Sequence, residues 1–117
     1  MALTREFKET VLARVQADPQ FRDALLKEGI ETMLAGDVDA GKAVLRDYIK
    51  ATVGFEALGA ETGSSPKSLI RMFGPSGNPQ ARNLFTVIGH LQRQAGLTLK
   101  VTAAPCPAPR RAVRTAR

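Results

Sequence analysis

Ser65, Lys67, Ser68 and Arg71 fall within seven residues, in a chain that carries no acid after Glu61. Ammonium and guanidinium groups at this spacing reach phosphate oxygens or guanine edges, and serine hydroxyls reach phosphates or either base edge. The chemistry on offer is recognition of a polyanion rather than bond making. Catalytic patterns are missing from the sequence: there is no Gly-rich phosphate loop, no Cys/His or Ser/His pairing with nucleophile character, and no metal-ligand spacing. Asp37 and Asp39 read as a helix cap and its neighbour, not as a general acid–base pair. The one histidine, His90, lies near core positions of a helix and reads as half-buried and structural. Cys106 is the only cysteine, which excludes an intrachain disulfide and a cysteine zinc site. The expectation is a protein that is not an enzyme and uses neither cofactor nor metal.

The elements that must position these residues follow from helix punctuation. Thr4 is an N-cap candidate, with Phe7, Val11 and Val15 at helical spacing up to Ala17. Asp18-Pro19, a capping residue followed by proline at the first helical position, restarts the pattern. Phe21, Leu25, Met33 and Leu34 then form a stripe that ends near Gly36. Asp37 caps a third segment with Val38, Leu45, Ile49 and Val53 on one face, stopped by Gly54. Phe55–Thr62 is a short fourth segment ended by Gly63, with small residues Ala57 and Ala60 where a second helix must cross closely. Ser65-Pro66 starts a fifth, whose Leu69, Met72 and Phe73 face inward. Pro66, Lys67, Ser68, Ile70 and Arg71 are left on or near its outer face. Asn78-Pro79 caps a sixth, with Leu84, Val87, Ile88 and Leu91 inward and Gly96 at its end; Arg82, one turn after Asn78, is a candidate phosphate contact. Leu97–Val101 alternates apolar and polar with period two and predicts one short strand. A strand needs a partner, so this segment either pairs with the same strand of a second chain or packs as an extended tail on the helices.

The fourth and fifth segments have the spacing of a helix-turn-helix, whose second helix enters the major groove of DNA. The run from Phe55 to Val101 resembles the lambda-repressor/Cro-like helix-turn-helix superfamily, and within it the HigA-like addiction-module antidote proteins, antitoxins of type II toxin–antitoxin operons. The matching pieces are Ala57-Leu58-Gly59-Ala60-Glu61-Thr62-Gly63, Ser65 through Phe73, Gly77-Asn78-Pro79, and Gly96-Leu97-Thr98-Leu99-Lys100-Val101. This resemblance implies a homodimer that binds its operator in double-stranded DNA and represses its own operon, alone or with a RelE/ParE-like toxin. It makes Ser65, Lys67, Ser68 and Arg71 the DNA-facing set. One departure is Phe55, which stands where many superfamily members have a polar residue on a phosphate. That contact is missing here, or Phe55 packs into the core and backbone donors serve instead.

Charge distribution points the same way. The 117-residue chain has a net charge of +6, but residues 1–61 hold eight bases and eleven acids, whereas residues 62–117 hold nine bases and no acid. Part of the excess lies in the Pro/Ala/Arg-rich tail, on Arg110, Arg111, Arg114 and Arg117, which either adds nonspecific DNA affinity or simply solubilises the terminus. The expected organisation is an all-α, six-helix bundle with a lambda-repressor-like helix-turn-helix and one short C-terminal strand. Its three parts are an N-terminal helical segment (1–54), a DNA-binding module (55–101) and a disordered basic tail (102–117). The N-terminal segment either completes the globule or offers an acidic partner surface. No stretch approaches the ~18 apolar residues of a membrane span, and no signal-peptide core is present, so a cytoplasmic location is expected. Two alternatives to the antitoxin reading stay open: a stand-alone repressor without a toxin, and a helical protein-interaction module that does not use DNA.

Overall fold

In the computed structural model, residues 5–106 are described, and they form six helices and no strand. Thr4, the side chain of Phe7 and the arginines of the tail lie outside the described residues.

Helix α1 (Arg5–Ala17) buries Val15 and packs on α2 (Pro19–Leu34) and α3 (Val38–Ala51). Asp18 separates the first two helices as the punctuation requires: its carboxylate accepts the backbone N–H groups of Gln20 and Phe21, and Pro19 opens the new helix. Arg14 stands over the Phe21 ring at 4.6 Å and fastens the same junction. Asp37 caps α3 through Ala40 N–H. Helices α2 and α3 run antiparallel and very close, because a side-chain carbon at Gly41 would lie 2.1 Å from Met33 Cγ and 2.9 Å from the Gly29 carbonyl.

The second half is built from α4 (Phe55–Thr62), α5 (Pro66–Met72) and α6 (Ala81–Ala95). One apolar cluster joins both halves, with Leu26, Leu45, Tyr48 and Ile49 meeting Leu58, Leu69, Phe73, Val87 and Leu91. The rings of Phe55 and Phe73 lie 6.5 Å apart across it, so Phe55 is a core residue. The four inward positions expected on α6, Leu84, Val87, Ile88 and Leu91, are all buried.

Four expectations are corrected. The short strand at Leu97–Val101 does not form: the segment is extended, and among the described residues no second strand is present to pair with it. Of the two alternatives for this segment, its packing fits the tail on the helices: Leu97 and Leu99 lean on the core, and Leu99 N–H donates to Gln92 Oε1 at 2.7 Å. Asn78-Pro79 does not cap α6. The chain stays extended through Gln80, which is the N-cap residue without a side-chain cap, and the first helical hydrogen bond runs from Leu84 N–H to the Gln80 carbonyl. Val38 and Leu34 are exposed rather than inward, because they sit at the tip of the α2–α3 hairpin, beyond the reach of the core. Ala57 and Ala60 are exposed too; the residue that lets α4 and α5 approach is Gly59, where a side-chain carbon would lie 2.5 Å from the Ser64 carbonyl.

Tyr48 is the chain's only tyrosine and is 2% exposed. Burial pushes its phenol above the ordinary value of 10.0, Asp23 adds to the rise, and Arg22 opposes it. The folded pKa exceeds the unfolded one, so the stability this group contributes is whole below about pH 10 and is lost as pH rises through the folded pKa. The tyrosinate absorbance band is expected to appear at higher pH in the native chain than in the denatured one. In urea titrations, Tyr48→Phe is expected to flatten the alkaline loss of stability relative to the wild type.

Candidate nucleic-acid interface

Helix α5 is short and held at both ends. At its start, the Ser65 hydroxyl oxygen accepts Ser68 N–H at 3.0 Å and its own proton goes to Ser68 Oγ at 2.9 Å, while Pro66 presets the first helical turn. Before it, Gly63 adopts φ 78°, the left-handed conformation that turns the chain from α4 into the cap. On the inner side, Leu69 and Phe73 are fully sunk into the core. The same 3.6-residue period then leaves Lys67, Ser68, Ile70 and Arg71 exposed.

The four expected residues of α5 are thus brought together, but in two roles. Lys67 and Arg71 project one turn apart, and among the described residues neither side chain makes an ion pair or hydrogen bond within the chain. Ser65 and Ser68 are spent first on capping the helix. Arg82 belongs to a different element, the first turn of α6, and is likewise exposed and without an ion pair. That turn has no acid and no side-chain cap, so its backbone donors and the Arg82 guanidinium face solvent without a negative partner. Phe85 follows three residues later and is 65% exposed. The basic side chains Arg14 and Lys27 on the acidic half differ: each has a carboxylate one helical turn on, Asp18 at 3.7 Å and Glu31 at 3.8 Å.

Glu61, the acid at the end of α4, is engaged. Gln94 Nε2 donates to it, and His90 Nδ1 lies 3.6 Å away, so half-buried His90 ties α6 to α4. Glu56, in the first turn of α4, is exposed. Among the described residues no group of His, Cys, Asp and Glu is placed to hold a metal ion, and no helix is long and apolar enough to cross a membrane.

Sequence reasoning missed Lys42. It lies on α3, yet only 3% of its side chain is exposed, and its Nζ donates to the Gly77 carbonyl at 2.7 Å and the Gly74 carbonyl at 3.1 Å. Asp39 Oδ1, 3.6 Å away and largely in solvent, is the nearest carboxylate. Both carbonyls belong to the turn that leaves α5. Gly77 is itself pressed against the end of that helix, because a side-chain carbon there would lie 2.0 Å from the Arg71 carbonyl and 2.7 Å from the Met72 carbonyl. Removing the ammonium would leave the Gly77 carbonyl without its donor, at about 1–3 kcal/mol, while the Gly74 carbonyl would keep the Gly77 N–H. The only sequence signal was a lysine at a position whose helical neighbours Leu45 and Ile49 are core residues, and a lysine there ordinarily reads as solvated.

Comparison with protein-family models, with curated proteins and with solved structures finds no match to this chain.

Ser65→Ala is expected to destabilise the protein by about 1 kcal/mol through the lost N-cap. Ser68→Ala, which keeps the backbone N–H that Ser65 accepts, is expected to cost less. Paired urea denaturation curves check the difference; equal losses would assign Ser65 no capping energy.

Proposed function

We propose that this protein is a DNA-binding transcriptional regulator in which α4, the Gly63 turn and α5 act as a lambda-repressor-like helix-turn-helix, with α5 reading the major groove. The observation that carries this reading is the outer face of α5: two unpaired cations one turn apart, on a helix locked at both ends, with no acid in it or after it. A surface pressed against phosphates needs that sign and that exposure, and a reading helix needs a fixed backbone. Lys67 and Arg71 are the base- and phosphate-reaching residues. Ser65 and Ser68 set the helix start, and their exposed hydroxyls can share a bond with a phosphate. Arg82, with the uncapped turn of α6 around it, takes a backbone phosphate: an arginine is unfavourable in a first helical turn by itself and favourable once an anion sits there.

The resemblance of residues 55–101 to HigA-like antidote proteins supports a more particular version: an antitoxin-type autorepressor that acts as a homodimer on a palindromic operator, with a RelE/ParE-like toxin as partner. The acidic balance of residues 1–61 suits contact with a basic partner protein.

Lys67→Ala and Arg71→Ala are each expected to weaken binding to a duplex from the upstream region of the gene by about 1–3 kcal/mol, and the double variant to abolish the specific gel shift at physiological salt while retaining helical circular dichroism. Wild-type affinity in the double variant would remove α5 from the interface. Deleting residues 102–117 is expected to leave sequence preference intact and to lower only the affinity for unrelated duplexes. If preference disappears with the tail, the helices are a protein-interaction module and the nucleic-acid affinity belongs to the arginines.

A further inference from the structure

We propose that Lys42, almost without solvent exposure, is a positioning residue that sets the sequence preference of α5. The inference rests on the DNA-binding reading and adds to it a determinant on the N-terminal helices that touches no nucleic acid.

The geometry gives the mechanism. Helix α5 is only seven residues long; Leu69 and Phe73 hold its inner side in the core, and what bonds its two ends sets how it tilts on that support. The start is held locally by Ser65. The end is not: after Met72 the chain makes a glycine-rich turn, with Gly74 N–H on the Arg71 carbonyl at 3.1 Å and Gly77 N–H on the Gly74 carbonyl at 3.1 Å. Two carbonyls of that turn converge on one ammonium from α3, and Gly77 lies against the carbonyls of Arg71 and Met72. Arg71 is therefore the reading residue nearest the clamp. Helix α3 in turn is fixed by its close packing on α2 and by Leu45 and Ile49 in the core. A rigid chain of contacts thus runs from α2 and α3 through Lys42 to the backbone of Arg71. A cation at this end also complements the partial negative charge of the last helical carbonyls.

Bidentate readout of a base edge tolerates little misplacement, whereas contact with a phosphate tolerates much. Loosening the clamp therefore erodes specificity before it erodes general affinity. Two effects of Lys42→Met are separable on this ground. A residue that only stabilises the fold lowers the melting temperature but leaves the folded protein with its normal preference. A positioning residue changes the preference of the folded protein.

The test measures, at a temperature where circular dichroism shows each variant folded, affinity for a duplex selected by the wild type from a random library and for a scrambled duplex of the same composition. Lys42→Met is expected to reduce the ratio of the two affinities by about tenfold or more. The scrambled-duplex affinity and its salt slope are expected to stay at wild-type values, because no phosphate contact is removed. Lys67→Ala is expected to lower that slope. Gly77→Ala, which forces the same junction from the other side, is expected to reproduce the loss of preference. A folded Lys42→Met chain with the wild-type ratio overturns the proposal. Where that variant does not fold, Lys42→Gln and Gly77→Ala are read by the same ratio, and retention of preference in either overturns it equally. A wild-type chain that selects no sequence at all refutes the DNA-binding reading itself, a result distinct from any change confined to the variants.

Discussion

An ammonium group taken out of water must find partners, and the partners that Lys42 finds tie the two halves of this protein together. Burying a cation without compensation is far costlier than any single apolar contact in a domain of this size. Lys42 meets that cost with two backbone carbonyls and a nearby carboxylate. The contact is stringent in a way that the apolar cluster around it is not. Leucines can slide and repack, whereas carbonyls aimed at one nitrogen hold the backbone of the 74–77 turn in one place. After that turn, helix resumes only beyond Gln80.

Around that clamp, charge is arranged by what each group has to face. In α1 and α2, Arg14 and Lys27 sit beside acids on their own helical surface, pairs that contribute little to stability but leave no unbalanced field. Among the described residues from α5 onward the cations have no such partners, and Glu61, the last acid in the chain, accepts from Gln94 with His90 beside it. A surface of unpaired cations is a standing electrostatic cost unless something negative covers it. The proposed interface lies where that cost is concentrated on a rigid element.

Much of this was legible in local sequence. Asp18-Pro19, Asp37 and Ser65-Pro66 specify helix starts by chemistry that reaches no further than three residues, and all three cap as expected. The inward stripe of α6 and the outward placement of Lys67, Ile70 and Arg71 follow from a period of 3.6 and need no knowledge of the partner helix. The errors share one cause. Leu97–Val101 alternates like a strand, but a strand is a relation between two segments, and a single segment cannot state whether the other exists. Val38 and Leu34 continue apolar stripes past the point where the core ends. Asn78-Pro79 carries the residues of a cap, yet the helix begins after Gln80, beyond a turn bonded to a lysine more than thirty positions away.

The sequence by itself determined the six helices, nearly all of their boundaries, the face of α5 turned to solvent and the absence of any acid to oppose it. These depend on backbone hydrogen bonding, capping and side-chain period, which act over one or two turns. Tertiary structure alone decided which small residue allows each close crossing, that Phe55 faces Phe73, and that a lysine is drawn inside to hold the turn at the end of α5. Each of these depends on which surfaces meet, and a buried cation is permitted only where a distant turn supplies the oxygens to receive it.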